Sequence, residues 1–237
     1  AVDMDEPDTA KEYLERAEAL ETACEAYFGA DLHGFHTYRY SKRYDTLRGW
    51  VCLPLVVGMT QRVQGTVDAI LSPYLWTENG MLSCELGEEN PTQTIWDRPA
   101  LYGFRGIFLA GQADRAWKAF KQYCELRLLG DRVPYPVEAW PEGNKQHLSA
   151  ESALFCRAIV EGLLGLTPIG LRSFRLKPCL PRALDHLHLK QLHLAGASVD
   201  VLLERTETGR ESCTVHINGR KAGSCRLGES MEFTVAG

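Results

Sequence analysis

The sequence lacks the features that would indicate a membrane or a nucleic acid as partner. Lys and Arg number 26 against 31 Asp and Glu, so the formal net charge is −5 and a strongly basic surface is not expected. No apolar run approaches the roughly 20 residues that cross a bilayer, and the first residues show no signal-peptide pattern. We therefore expect a soluble protein, cytoplasmic or periplasmic, with neither a nucleic-acid nor a membrane partner.

Cysteine spacing gives little sign of a zinc site or a disulfide framework. None of the eight cysteines forms a C-x-x-C pair. Cys52, Cys124 and Cys156 lie in apolar helical contexts, where free buried thiols are common. A disulfide framework is typical of much shorter secreted chains than these 237 residues. We therefore expect no metal and no cofactor.

Helical patterns of two kinds alternate along the first 166 residues. Segments with a one-sided apolar stripe predict surface-lying helices at 8–28, 61–72 and 113–129. Segments that are apolar nearly all round predict buried helices at 47–59, 98–110 and 149–166. Pro54 is expected to kink the first of the buried helices. Helices joined by short turns pack as antiparallel hairpins, so we expect the three buried helices to run parallel to each other.

The hydrophobic period changes from helical to alternating after Leu166. Strands are expected at 173–176, 186–194, 198–204, 213–217 and 230–235. Turns are expected at Thr208-Gly209 and Asn218-Gly219. We therefore expect a mainly α fold, with a helical-hairpin region over 1–167 and a small antiparallel β unit over 168–237.

Three histidines in the stretch HLHLKQLHL raise the question of a metal site. His186 and His188 share one strand face, whereas His193 falls on the other parity of a regular strand. No carboxylate completes a ligand set. We interpret these histidines as polar residues of strand faces.

The loops that precede the three buried helices share an aromatic and charged composition. If those helices are parallel, the loops 40–50, 90–98 and 134–147 meet on one face. A carboxylate there can move protons and an indole can stack on a sugar ring, which suits carbohydrate chemistry. The alternative is a set of charged surface loops anchored by tryptophans. The candidate site residues are Trp50, Trp96, Asp97, Arg98, Glu138, Trp140, Glu142 and His147.

The region 151–205 resembles the end of the six-hairpin glycosidases, which are built on an (α/α)6 barrel. It reads EGLLGLTP at 161–168, followed by Leu176-Lys177-Pro178 and Leu180-Pro181. In that superfamily the last inner helix carries E-x-x-L-G-(I/L)-x-P and continues through L-x-P-x-(L/I)-P. Twelve helices and a β unit need well over roughly 300 residues. The resemblance therefore implies about half of an (α/α)6 toroid here, with the missing N-terminal half as a partner on the same or a separate polypeptide.

Two shorter stretches resemble trehalase-like enzymes of that superfamily. Ile95-Trp96-Asp97-Arg98-Pro99 is similar to Q-W-D-x-P, which contacts the sugar, and Val137-Glu138-Ala139-Trp140 is similar to V-E-K-Y. The Glu of the second motif is the catalytic base, so the resemblance implies this role for Glu138. Ala139 and Trp140 depart from the Lys and Tyr of the motif. The general acid of the family is an Asp far upstream, which the resemblance places outside this chain.

The expected activity is hydrolysis of a glycosidic bond on a carbohydrate substrate, by inversion, with Glu138 as general base. Glu142 and Glu151 are further carboxylates that could contribute. One alternative is a disaccharide phosphorylase-like reaction, although that requires a basic, His-rich or Ser-rich pocket where Glu138 stands. The other alternative is a glycan-binding fragment without catalysis, which fits the lack of an identified acid.

Overall fold

The structure is a computed structural model that describes residues 1–87, 93–129, 138–140, 149–206 and 208–235. Its helices are α1 (Pro7–Phe28), α2 (Leu53–Val56), α3 (Val63–Ile70), α4 (Asp97–Leu109), α5 (Ala113–Arg127) and α6 (Ser149–Arg157). Shorter helical turns are the 3-10 turns Val2–Met4 and Gly49–Cys52 and the π-helical turn Ala158–Leu163. Among the described residues, no helix combines the length and hydrophobicity that a bilayer-spanning segment requires.

Small antiparallel sheets accompany these helices. The two-stranded ones pair β1 (Gly29–Leu32) with β2 (Phe35–Tyr38), β3 (Trp76–Thr77) with β4 (Gly80–Met81), and β5 (Ile95–Trp96) with β6 (Ala139–Trp140). The other strands are β7 (Thr167–Pro168), β8 (Ser173–Leu176), β9 (His186–Leu194), β10 (Ala197–Arg205), β11 (Glu211–Ile217), β12 (Arg220–Cys225) and β13 (Met231–Thr234). They form a three-stranded sheet of order β13-β8-β7 and a four-stranded sheet of order β12-β11-β10-β9.

The fold is mixed α/β, so the expectation of a mainly α chain built as half of an (α/α)6 toroid is wrong. Helices make up 39% and strands 29%. Part of the strand content lies in hairpins between the helices, whose strands span only two to four residues. Such strands are too short to show an alternating pattern. The β1–β2 hairpin turns at His33 and Gly34, where φ is 51° and 82°.

The segment 47–59 does not form the continuous buried helix that its composition predicts. It forms the 3-10 turn Gly49–Cys52, followed by the single turn of α2. Pro54 has no N–H to donate and fits in the first turn of a helix, and Gly58 ends the element with a φ of 87°. Pro54 therefore begins a short helix instead of kinking a long one, and Leu53 and Val57 remain exposed.

Helix α1 is confirmed as a helix, but its apolar stripe does not face a core. Tyr13 and Leu20 are 62% and 64% exposed, and none of the helix residues is buried. The helix contacts the rest of the protein near its C-terminal end, where Glu25 pairs with Arg62 at 2.6 Å. Periodicity indicated which side chains share a face, but not whether that face is covered.

Helices α4 and α5 occur where the pattern predicts them and form the centre of the first hydrophobic core. Phe104 and Phe108 of α4 pack edge-on against Phe120 of α5, with ring centroids 5.1 and 5.4 Å apart. Gly111 follows α4 with a φ of 72°, which allows the chain to reverse into α5. Phe120 is buried, as expected for the inward stripe of α5.

Helix α6 is covered on one side only, contrary to the expected all-round burial. Glu151 and Leu154 are buried, whereas Ala153 and Cys156 are exposed. Small apolar residues are tolerated on exposed faces, so the composition overstated the burial. The π-helical turn that follows packs closely on α4, because a Cβ added at Gly162 would lie 3.2 Å from Phe108.

The strands predicted in the C-terminal region are confirmed as β8, β9, β10, β11 and β13. Strand β12 was not predicted, since its exposed edge position leaves it without an apolar alternation. The inward side chains of these sheets form a second hydrophobic cluster, which begins at Leu164. The predicted boundary between residues 167 and 168 lies close to the start of this cluster. The division into two regions stays a prediction.

A β-bulge in β9 changes the parity expected for its histidines. The pairing of β9 with β10 shifts between Val199 and Val201, and Gln191 has a φ of 57°. Because of the extra residue, Leu189 and Leu192 both pack against the second cluster. The exposed side chains of the strand therefore include His186, His188 and His193, all on one face.

Gly65 of α3 is predicted to tolerate no side chain. A Cβ there would lie 2.2 Å from the carbonyl oxygen of His36 in β2, and a backbone atom cannot rotate away. Gly65→Ala should lower the free energy of unfolding, measured in urea, by about 1–3 kcal/mol. In the matched variant Gly103→Ala, the nearest described atom to the added Cβ is Cγ2 of Ile70 at 3.7 Å, so this variant should be neutral or stabilising by up to about 1 kcal/mol. Equal stabilities of the two variants would contradict the close packing of α3 on β2.

Candidate functional site

A short strand pairing brings two of the predicted site segments together. Strand β5 pairs with β6, so that Trp96 lies opposite Ala139. Directly beyond this pair, the backbone N–H of Asp97 donates to the carbonyl oxygen of Glu138 at 3.1 Å. The first turn of α4 and the residues around Glu138 are thus neighbours, although they are distant in sequence.

Arg98 connects Glu138 to Glu151. Its Nη2 lies 3.7 Å from Oε1 of Glu138 and 2.8 Å from Oε1 of Glu151. Its Nε also donates to Oε1 of Glu151 at 2.8 Å. The side chains of Arg98 and Glu138 are 30% and 29% exposed, whereas that of Glu151 is fully buried. A buried carboxylate therefore holds the guanidinium, which also faces the partly exposed carboxylate of Glu138.

Glu151 is suited to anchoring Arg98 by its place in the first turn of α6. Unpaired N–H groups and the helix dipole favour an anion at that position. A buried carboxylate is costly unless a cation compensates it, and Arg98 supplies that cation. The second oxygen, Oε2, is buried and has no hydrogen-bond partner in the part of the chain that the structure describes. We therefore interpret Glu151 as a positioning residue of this site.

Asp97 is held by Arg127 of α5, not by its neighbour Arg98. Nε of Arg127 donates to both carboxylate oxygens, at 3.1 and 2.8 Å, and both side chains are almost completely buried. Burial and then the nearby charge of Asp97 raise the pKa of Tyr123 well above its usual value, so this phenol stays neutral. The carboxylate of Asp97 is closed off from solvent in this arrangement and supports the start of α4.

Three aromatic side chains form a cluster at the same end of α4. The rings of Trp50 and Trp96 meet edge to face with centroids 5.3 Å apart, and Trp50 lies 6.1 Å from the ring of Tyr102. All three side chains are partly exposed. Such rings provide apolar surface and leave polar edges, a combination that suits ligands with mixed surfaces, such as sugars.

The structure places the predicted site residues in three groups. Trp50, Trp96, Arg98 and Glu138 lie in one neighbourhood, linked by the contacts above, while Asp97 is buried beside Arg127. Trp140 is described by its backbone in β6. Two predictions lie outside the described residues: Glu142 and His147.

Two residues of the site were not predicted. Tyr102 follows Arg98 by four positions in α4, and this spacing places both on one helix face. The spacing can be seen in the sequence and could have identified Tyr102 as a neighbour of Arg98. Arg127 ends an amphipathic helix, where a cation normally interacts with the helix dipole. Nothing in its sequence context indicated a buried partner in α4.

Metal binding and comparisons with other proteins give no further assignment. In the described ranges, His, Cys, Asp and Glu side chains form no group of three or more that could hold a metal ion. No protein-family model matches this chain, and a search of curated proteins found no match.

Proposed function

We propose that the protein hydrolyses a glycosidic bond with inversion of configuration, with Glu138 as general base. The observation that supports this most is the partly exposed carboxylate of Glu138 beside Arg98, in the β5–β6 region where the ring of Trp96 meets that of Trp50. A carboxylate open to solvent can take a proton from water, and indole rings offer faces on which sugar rings stack.

Arg98 and Glu151 serve in this proposal as positioning residues. Both Glu138 and Glu151 face the same Nη2 atom of Arg98, which ties Glu138 to the first turn of α6. The 3.7 Å separation between Nη2 and Glu138 is longer than a hydrogen bond, so the carboxylate can accept a hydrogen bond from the attacking water. Trp50, Trp96 and Trp140 are assigned to contacts with the sugar.

The general acid must come from another residue. Inversion needs a second carboxyl group roughly 6.5–9.5 Å from the base, on the opposite face of the sugar. Glu151 is fully buried and cannot reach a substrate. We assign the acid either to Glu142, outside the described residues, or to a further polypeptide. The assignment of the acid to a further polypeptide stays a prediction. It cannot be argued from half of an (α/α)6 toroid, because the fold is mixed α/β.

A panel of α- and β-glycosyl fluorides tests the proposal without requiring the acid. Fluoride is a good leaving group and needs far less protonation than an alkoxide. We expect fluoride release from at least one of these sugars, at a rate that does not depend on added phosphate. The sugar product should have the anomeric configuration opposite to that of the substrate. Release that requires phosphate and yields a sugar phosphate would indicate phosphorolysis instead.

The second candidate function is glycan binding without turnover. The burial of Glu151 favours it, because the other carboxylate on Arg98 cannot take part in acid-base chemistry. Calorimetric titration with the same sugars separates the two candidates. Binding with no fluoride release from any member of the panel would support the second and contradict hydrolysis.

Trp140→Ala should weaken substrate binding with little effect on the chemical step. Removing the indole eliminates a stacking surface and no proton-transfer group, so KM should rise roughly tenfold while kcat changes little. Steady-state kinetics on the best glycosyl fluoride measure both constants. Trp140→Phe, which keeps an aromatic face, is the control and should stay close to wild type. An unchanged KM for Trp140→Ala would exclude this residue from the sugar site.

A further inference from the structure

An apolar groove lies between the C-terminal end of α1, the end of β2 and the helical turns around α2. Its volume is about 650 Å³, which is within the range of small-molecule sites. Leu53 and Val57 at its edge are 40% and 75% exposed. The apolar lining residues include Cys24, Phe28, Trp50, Leu53, Val57 and Met59.

Arg39 is the cationic side chain in the lining of this groove. Its Nη2 donates to the carbonyl oxygen of Gly29 at 3.3 Å, and its Nε is buried with no hydrogen-bond partner in the part of the chain that the structure describes. Within the described residues, no carboxylate pairs with this guanidinium. An anion that enters the groove and meets an accessible N–H of this guanidinium gains a charge-assisted hydrogen bond.

The other arginines with little exposure show how unusual this arrangement is. Six of them each pair with a carboxylate, and the guanidinium of Arg48 lies over the rings of Tyr40 and Tyr44. The six pairs are Arg62–Glu25, Arg98–Glu151, Arg105–Glu161, Arg115–Asp68, Arg127–Asp97 and Arg205–Glu211. Arg39 thus has a similar degree of burial, but no carboxylate from the described ranges pairs with it.

The charges around the groove have both signs. Between positions 39 and 48 the chain carries four cations, and Asp45 is the one anion, in a protein whose net charge is −5. Glu25 of α1 lies near Tyr38 in the groove wall, but its carboxylate is paired with Arg62 at 2.6 Å. Glu21 of the same helix also lies near Tyr38, so the charge that favours an anion in the groove is that of Arg39 itself.

We propose that this groove binds an amphiphilic carboxylate of medium chain length, with the apolar chain along the groove and the carboxylate on Arg39. Binding requires two features of the groove together: apolar walls that contact the alkyl chain of the ligand, and one guanidinium that pairs with its carboxylate. Each methylene that the walls bury should strengthen binding roughly fourfold. The inference does not rest on the proposed hydrolysis, because binding needs no turnover.

Calorimetric titration of the full chain with decanoate, below its micelle concentration, tests the proposal. Decanoate should bind about tenfold more tightly than decanol, and decyltrimethylammonium should bind most weakly. Octanoate should bind roughly fifteenfold more weakly than decanoate, since two methylenes are lost. Equal affinities for decanoate and decanol would leave only a hydrophobic patch and overturn the role of Arg39.

Two variants separate the contribution of the carboxylate group of decanoate from that of its alkyl chain. Arg39→Gln should lower decanoate affinity roughly tenfold and leave decanol unchanged. Val57→Asp should weaken both. The matched control is Arg43→Gln, a neighbouring exposed cation, which should bind decanoate like wild type. Thermal unfolding of each variant verifies folding, and wild-type decanoate affinity in a folded Arg39→Gln protein would overturn the proposal.

Two further measurements distinguish a soluble acid from other occupants of the groove. Co-sedimentation with anionic phosphatidylcholine–phosphatidic acid vesicles, combined with no binding of free decanoate, would overturn the proposal in favour of a lipid surface. Light scattering of the chain alone gives its mass. A dimer that Val57→Asp dissociates, combined with no binding of free decanoate, would show that a second copy covers the groove, which also contradicts the proposal.

Discussion

Replacing Glu138 by glutamine should lower kcat for glycosyl fluoride hydrolysis by a factor of about 10²–10⁴ and leave KM nearly unchanged. The amide keeps the shape of the side chain and much of its hydrogen bonding, but it cannot accept a proton from the attacking water. The loss corresponds to about 3–5 kcal/mol of activation free energy. Initial rates of fluoride release over a range of substrate concentrations give both constants.

A matched substitution tests whether the effect is specific to this carboxylate. Glu204 is an exposed glutamate of β10 in the C-terminal sheet, and Glu204→Gln should retain wild-type kinetics. Wild-type turnover by Glu138→Gln would reduce Glu138 to a loop residue and remove the basis for hydrolysis at this site. A large rise in KM instead of a fall in kcat would assign Glu138 to substrate binding.

The proximity of the two main site segments could be predicted from the sequence, but their ion pairs could not. Trp96 to Arg98 and Glu138 were assigned to one site from their positions before helices, and the β5–β6 pairing does bring them together. Asp97 and Arg98 are consecutive at the start of α4, so their side chains leave the helix about 100° apart. One therefore reaches Arg127 and the other Glu151, partners that no local pattern identifies.

The fold predictions are correct where the interactions that determine an element lie close together in the sequence, and they fail where those interactions come from distant residues. Helix α5 and strand β9 follow from local periodicity, which one stretch of chain contains in full. The stripe of α1 is equally periodic, yet Tyr13 and Leu20 are exposed because nothing in the described structure packs on them. The bulge at Gln191 depends on the pairing with β10, so the outward direction of His193 could not follow from β9 alone.

Replacing Arg127 by methionine should lower the free energy of unfolding by about 3–5 kcal/mol. Arg127 and Asp97 are 3% and 1% exposed, and their closest N···O distance is 2.8 Å. Methionine fills much of the arginine volume but removes the guanidinium, so the charge of Asp97 stays in a site of low polarity. Nη2 of Arg127 also donates to the carbonyl oxygen of Asn79, and that bond is lost too. Urea denaturation measures the change.

An exposed ion pair of similar geometry provides the control for this prediction. Arg175 and Glu232 are 2.7 Å apart but 47% and 57% exposed, so Arg175→Met should cost less than about 1 kcal/mol. Adding Asp97→Asn to Arg127→Met should recover part of the loss, because the amide removes the buried charge. Similar losses for the two methionine variants would contradict the burial of the Asp97–Arg127 pair. Without a rigidly held Asp97, the adjacent Arg98 would also lose its fixed approach to Glu138, so Arg127→Met should reduce turnover even at temperatures where the protein remains folded.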